Sequence, residues 1–178
     1  MRRGLIILIL LIIPCTAFSK PGKNSLSELR TEYLTALRDY LNAPKVYESF
    51  LEVENPNGKI LAYQGALEAI MTKTTWNIFK KMSYLNMSES SFQRAIEIAP
   101  GDIEIRFMRL AVQFEIPEYL GLSKDMESDK QFILKNMKSL SSEKIPPALM
   151  NQIIGFMYRC EMFTEEQIEK IKLILASN

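Results

Sequence analysis

From Lys59 to Met71 the chain reads Lys-Ile-Leu-Ala-Tyr-Gln-Gly-Ala-Leu-Glu-Ala-Ile-Met, and past Lys59 only Gln64 and Glu68 interrupt its apolar and small residues. A helix that is apolar nearly all round belongs inside a fold, with other elements packed around it. Ala62, Gly65, Ala66 and Ala69 let those neighbours approach closely. Gln64 and Glu68 are four apart, so they form one polar stripe on this helix.

The segments on either side also carry helical signals. Ser25-Leu26-Ser27-Glu28 is a capping box that opens a helix with Leu29, Tyr33, Leu37 and Tyr40 at helical spacing, and Ala43-Pro44 stops it. A short helix over 45–53 precedes the turn Asn55-Pro56-Asn57-Gly58. After a loop at 72–75, a long helix begins at Trp76 or Asn77 and ends near Ile98, with Phe79, Met82, Tyr84, Leu85, Phe92, Ala95 and Ile96 on its buried side. Asp102 caps a helix over 103–115, which Pro117 ends, and Gly121 allows a sharp turn. Ser123 or Asp125 starts a helix through Leu140, Pro146-Pro147 opens one over 148–160, and Thr164-Glu165-Glu166-Gln167 is a second capping box. No alternating strand pattern of useful length occurs. The expected fold is all-α, with about seven or eight helices in antiparallel pairs.

Residues 1–19 read as a secretory signal peptide. Arg2 and Arg3 form the basic region, Gly4 to Ile13 the apolar region, and Ala17-Phe18-Ser19 the small-residue cleavage site. A membrane span needs about 20 apolar residues, and this run has Pro14 inside it and stops at Phe18. Pro14 also stands just before Cys15, which disfavours a lipoprotein signal. The expected product is a periplasmic or secreted domain, 20–178, without a stable membrane span. Loss of Arg2 and Arg3 would take the formal net charge from +1 to −1. That balance argues against a nucleic-acid partner. Only Cys160 would remain, so no intramolecular disulfide is expected. Its apolar surroundings make it a small buried hydrophobe.

The chain contains no histidine. Ser-His-Asp and Cys-His catalysis and histidine-bound zinc are therefore excluded. The glycine spacing writes neither a P-loop nor GxGxxG. No catalytic residue, metal ligand or cofactor is assigned. The scattered methionines read as core filling. Asp125, Glu127 and Asp129, like Glu165 and Glu166, read as acids at helix starts, where negative charge suits the dipole.

The helix at 103–115 carries the most specific polar pattern. Arg106, Arg109 and Gln113 are spaced three and four apart and share a face between apolar residues. Arginine's planar fork could there bind a carboxylate-bearing peptide or another anion, or it could close a structural ion pair. Glu68 is the expected internal partner of Arg106 or Arg109, the alternative being that its stripe faces water.

Phe92-x-x-Ala95-x-x-x-x-Pro100 resembles the end of a tetratricopeptide repeat, and the helix with Tyr63, Gly65 and Ala66 is similar to a first repeat helix. The pair from Lys59 to Pro100 exceeds the about 34 residues of one repeat. A wider stretch, about 62–130, resembles small exported bacterial proteins with tetratricopeptide-like helices and no assigned activity. Its residues include Ala62-Tyr63-x-Gly65-Ala66, Pro100-x-x-Ile103-Glu104-x-Arg106-Phe107-x-Arg109-Leu110 and Asp129-Lys130. The resemblance implies a right-handed helical array, tetratricopeptide-like over about 59–115, with a concave surface for a protein or peptide partner. Tyr63, Glu68, Arg106, Arg109 and Gln113 are then the candidate binding residues. The alternative is a helical hydrolase of envelope polymers that uses Glu68 or another carboxylate as general acid.

Overall fold

The computed structural model describes residues 25–142 and 145–176. The expected leader and Cys15 lie outside the described residues. Eight α-helices and no strand occur among them.

Most helix signals in the sequence are used where they were read, but Ala43-Pro44, expected to stop the first helix, opens the second. Ser25 caps α1 (Leu26–Arg38) with both halves of the capping box in place. Pro44 lies in the first turn of α2 (Ala43–Leu51), so it starts that helix, and a 3-10 turn, Tyr40–Asn42, ends the preceding one. Asn57 caps α3 (Gly58–Met71), a 3-10 turn covers Thr72–Thr74, and Asn77 caps α4 (Ile78–Ile98). Asp102 accepts hydrogen bonds from the Glu104 and Ile105 amides at the head of α5 (Ile103–Glu115). Gly121 takes a left-handed φ of 68° before α6 (Met126–Asn136). The last turn expected of α6 is instead 3-10, over Met137–Ser142. α7 (Pro147–Cys160) and α8 (Glu165–Ala176) complete the chain, with the Thr164–Gln167 capping box formed.

The placement of α3 follows from its composition. It touches α1, α2, α4 and α5, and Leu61, Ala62, Tyr63, Ala66 and Leu67 are sealed from solvent. Its glycines allow α4 to come close. A methyl group at Gly58 would stand 2.8 Å from the Ala95 carbonyl oxygen, and one at Gly65 would stand 3.1 Å from the Phe92 ring and 3.2 Å from the Ser88 carbonyl oxygen. The start of α3 thus lies beside the end of α4. Phe156 of α7 meets Phe107 and Phe114 of α5 edge-on, and Ile168, Ile171 and Leu175 bury the face of α8.

Some expected core positions are exposed. Leu37 and Tyr40 are open to solvent, because α1 turns Leu29, Tyr33, Leu34 and Ala36 inward. Phe79 is 84% exposed and Met82 only half-buried. α4 has 21 residues against 14 in α3, so its first turns run beyond the end of the helix that would cover them.

Candidate functional site

Three buried acidic residues organise the interior, and each gathers its partners from different helices. Glu104 gathers the largest set of partners. Its Oε1 accepts hydrogen bonds from the Tyr63 hydroxyl at 2.6 Å and Arg30 Nε at 3.0 Å. Its Oε2 meets Arg30 Nη2 and, at 3.1 Å, Lys59 Nζ, which also reaches Asp102 at 2.8 Å. Burial alone would push the Glu104 carboxyl up. The hydrogen bond and charge of Arg30, with help from Lys59 and Tyr63, outweigh it and hold the carboxyl below its ordinary range. Tyr63 therefore sits in a closed network, T-shaped against Tyr33 at 4.9 Å. Sequence reasoning missed Arg30 and Glu104, since each stands on a helix of mixed charge where nothing marks it as inward-facing.

Asp129 is fully buried and takes the arginine stripe. Arg109 forms two hydrogen bonds of 2.7 Å with its carboxylate, and Arg106 Nη1 adds a third at 3.1 Å. Asp125 extends the cluster: it lies 3.3 Å from Arg109 Nη1, accepts from Gln113 Nε2 at 3.2 Å, and donates its amide to Gln113 Oε1 at 3.1 Å. The spacing reading is upheld here, since Arg106, Arg109 and Gln113 do share a face. The expected partner is corrected: α6 supplies it, not Glu68. Asp125, Glu127 and Asp129 do stand at the start of α6, as read, but Asp125 and Asp129 also turn toward α5, whereas Glu127 stays exposed beside Gln131. Arg106 Nε is buried without a hydrogen-bond partner, and the guanidinium lies 4.9 Å from the centre of the Phe132 ring. Arg109 and Gln113 also border a cavity of about 300 Å³ with Leu85, Phe92 and Lys124.

Glu68 is buried, as the pairing expectation required, but with other partners. The Tyr47 hydroxyl donates to its Oε1 at 2.7 Å and the Ser91 hydroxyl to its Oε2 at 2.8 Å. Burial raises its pKa, and the two hydroxyls and the Arg94 charge offset only part of that rise. Gln64, on the same stripe, donates to the Phe50 carbonyl at 3.0 Å and so satisfies the end of α2.

Glu68 also floors the larger cavity, an open groove of about 620 Å³ along α4. Phe79, Met82 and Met87 line its apolar part, with Asn86, Ser90 and Arg94 toward the other end. Among the described residues no other acid lines it. Among the described residues there is no group of three potential metal ligands, and no helix is long and apolar enough to cross a membrane. Cys160 is buried and its thiol is pushed up by that burial, in keeping with a packing role.

Comparison of the chain with protein-family models, curated proteins and solved structures gives no match.

Proposed function

We propose that this chain is an exported, non-catalytic interaction module that holds a protein or peptide segment along the open face of α4. The observation that carries the reading is the groove itself. Its methionines give an adaptable apolar floor, its serines and Asn86 offer hydrogen bonds to a peptide backbone, and Arg94 supplies a charge at one end. The glycine contacts between α3 and α4 support an antiparallel pair, the unit of a tetratricopeptide-like, right-handed array whose stacked helices present such surfaces. The buried networks around Glu104 and Asp129 then serve to fix the helices that shape the groove.

Peptide display on the purified protein tests this. Selected peptides should bind Met87→Glu and Arg94→Glu variants at least about tenfold more weakly, a loss of about 1.4 kcal/mol. The variant Lys172→Glu, on α8, should bind them as the parent does. Equal binding by all variants would remove the groove from the reading.

A second reading, a hydrolase of envelope polymers, rests on Glu68 alone. A buried carboxyl with a raised pKa at the floor of a groove suits a general acid. Glycoside hydrolysis ordinarily needs a second carboxylate across the cleft, and among the described residues no second acid lines this one. Glu68→Gln separates the two readings. It should leave peptide affinity within a few-fold, and it would abolish polymer turnover if the acid were catalytic.

A further inference from the structure

Among the described residues, five large apolar side chains are exposed together at one end, beside the groove mouth. There the 3-10 turn at Tyr40–Asn42 rests against the turn at Thr72–Thr74. Trp76 is 97% exposed, and Ile78, Phe79, Tyr40 and Leu41 are exposed with it. Large apolar side chains gathered this way mark an interaction surface rather than ordinary solvent-facing residues.

Charge says what the surface fits. From Ala69 through Ser88 the chain has no acidic residue and three lysines, Lys73, Lys80 and Lys81. The adjoining turn is flanked by Arg38 and Lys45, both exposed. Its one acid is Asp39, whose carboxylate accepts from the Leu41 amide at 3.0 Å and the Asn42 side chain at 3.3 Å. Lys81 Nζ stands 5.8 Å from the centre of the Trp76 ring, so cation and indole share one face. Trp76, Ile78 and Leu41 line neither cavity described above; they project from the end of the array. Projecting aromatic and aliphatic tips ringed by lysines match a flat, negatively charged, partly apolar surface better than they match another folded chain.

We propose that this end docks on an anionic lipid bilayer. Trp76, Ile78 and Leu41 enter the boundary between headgroups and acyl chains, and Lys73, Lys80 and Lys81 pair with lipid phosphates. Phe79 is shared with the groove mouth, so docking would hold the groove close to the membrane surface. This end lies on the bilayer surface, and no described helix is long and apolar enough to cross one.

Trp76 is the single tryptophan, so its emission reports this edge alone, whatever other segment of the full chain meets lipid. With vesicles of phosphatidylcholine containing about one-third phosphatidylglycerol, emission should shift to the blue and be quenched by brominated acyl chains. Phosphatidylcholine alone should give little of either, and high salt should reverse the shift. Replacing the three lysines by glutamine should weaken partitioning on the order of 100-fold. Ile78→Ser, which keeps the tryptophan, should weaken it too, while Met87→Glu in the groove should not. Three results would each overturn the proposal: failure to bind; binding in which Trp76 emission stays unmoved; or a blue shift without lipid that grows with protein concentration, which would assign the edge to a second copy of the chain.

Discussion

Arg30 and Glu104 stand 74 positions apart in the chain and side by side in the interior, each almost sealed from solvent. One comes from the first helix and the other from the fifth, and the Tyr63 hydroxyl of the central helix touches both, 3.3 Å from Arg30 Nε and 2.6 Å from Glu104 Oε1. Neither charge has water to fall back on. Arg30→Ala or Glu104→Ala should each cost about 3–5 kcal/mol, because each removes one side of a buried charge pair, Lys59 and Tyr63 offsetting only part of the loss at Glu104. The pair Arg30→Met with Glu104→Leu should recover much of that loss. Urea midpoints of the three variants measure it, and equal losses in single and double variants would contradict the buried pairing.

Acid should act on Glu104 and Glu68 in opposite senses. The Glu104 carboxyl is held below its ordinary range, so the stability it contributes is complete above that range and is lost as pH falls through the depressed value. The Glu68 carboxyl is raised by burial, so its ionisation costs stability above the raised value, and protonation relieves that cost as pH falls. Denaturation midpoints across the acid range should therefore fall less steeply for Glu104→Gln than for the parent. Glu68→Gln should lose the gain on mild acidification. Parallel profiles for all three proteins would contradict both shifts.

Glu68 and the arginine stripe should behave as independent units. Glu68→Ala leaves the Tyr47 and Ser91 hydroxyls without their acceptor, at a cost of about 1–3 kcal/mol. Asp129→Ala removes one hydrogen bond from Arg106 and two from Arg109, leaving Arg109 only Asp125, and should cost about 3–5 kcal/mol. A double-mutant cycle between Glu68 and Arg109 should give coupling within about 0.5 kcal/mol of zero, whereas one between Asp129 and Arg109 should not.

The glycines of α3 and α7 should respond with opposite sign. At Gly65 an added methyl meets the Phe92 ring at 3.1 Å, and at Gly58 it meets backbone oxygen at 2.8 Å. Gly65→Ala and Gly58→Ala should destabilise by about 1–3 kcal/mol. Gly155 has nothing within 4 Å of such a methyl and stands inside a helix, so Gly155→Ala should stabilise by about 0.5–1 kcal/mol. Thermal melts of the three variants check the ordering.

What the sequence determined by itself is local or periodic. The capping boxes at Ser25 and Thr164, the cap at Asp102 and the turn at Gly121 act over three or four residues, and such signals can be read along a chain. The all-round apolar character of 59–71 likewise required a central helix. The shared face of Arg106, Arg109 and Gln113 followed from helical spacing. Their partner did not, because Glu68, Asp125 and Asp129 all offered a carboxylate, and only the docking of α6 on α5 put Asp129 within reach. The same holds for Arg30 with Glu104, and for Phe79, which has the composition of a core residue and lies where α4 outruns α3. A side chain's type states what it needs, water, an apolar neighbour or an opposite charge. Which of these it receives depends on residues far away in sequence, and only the packed tertiary structure brings those to it.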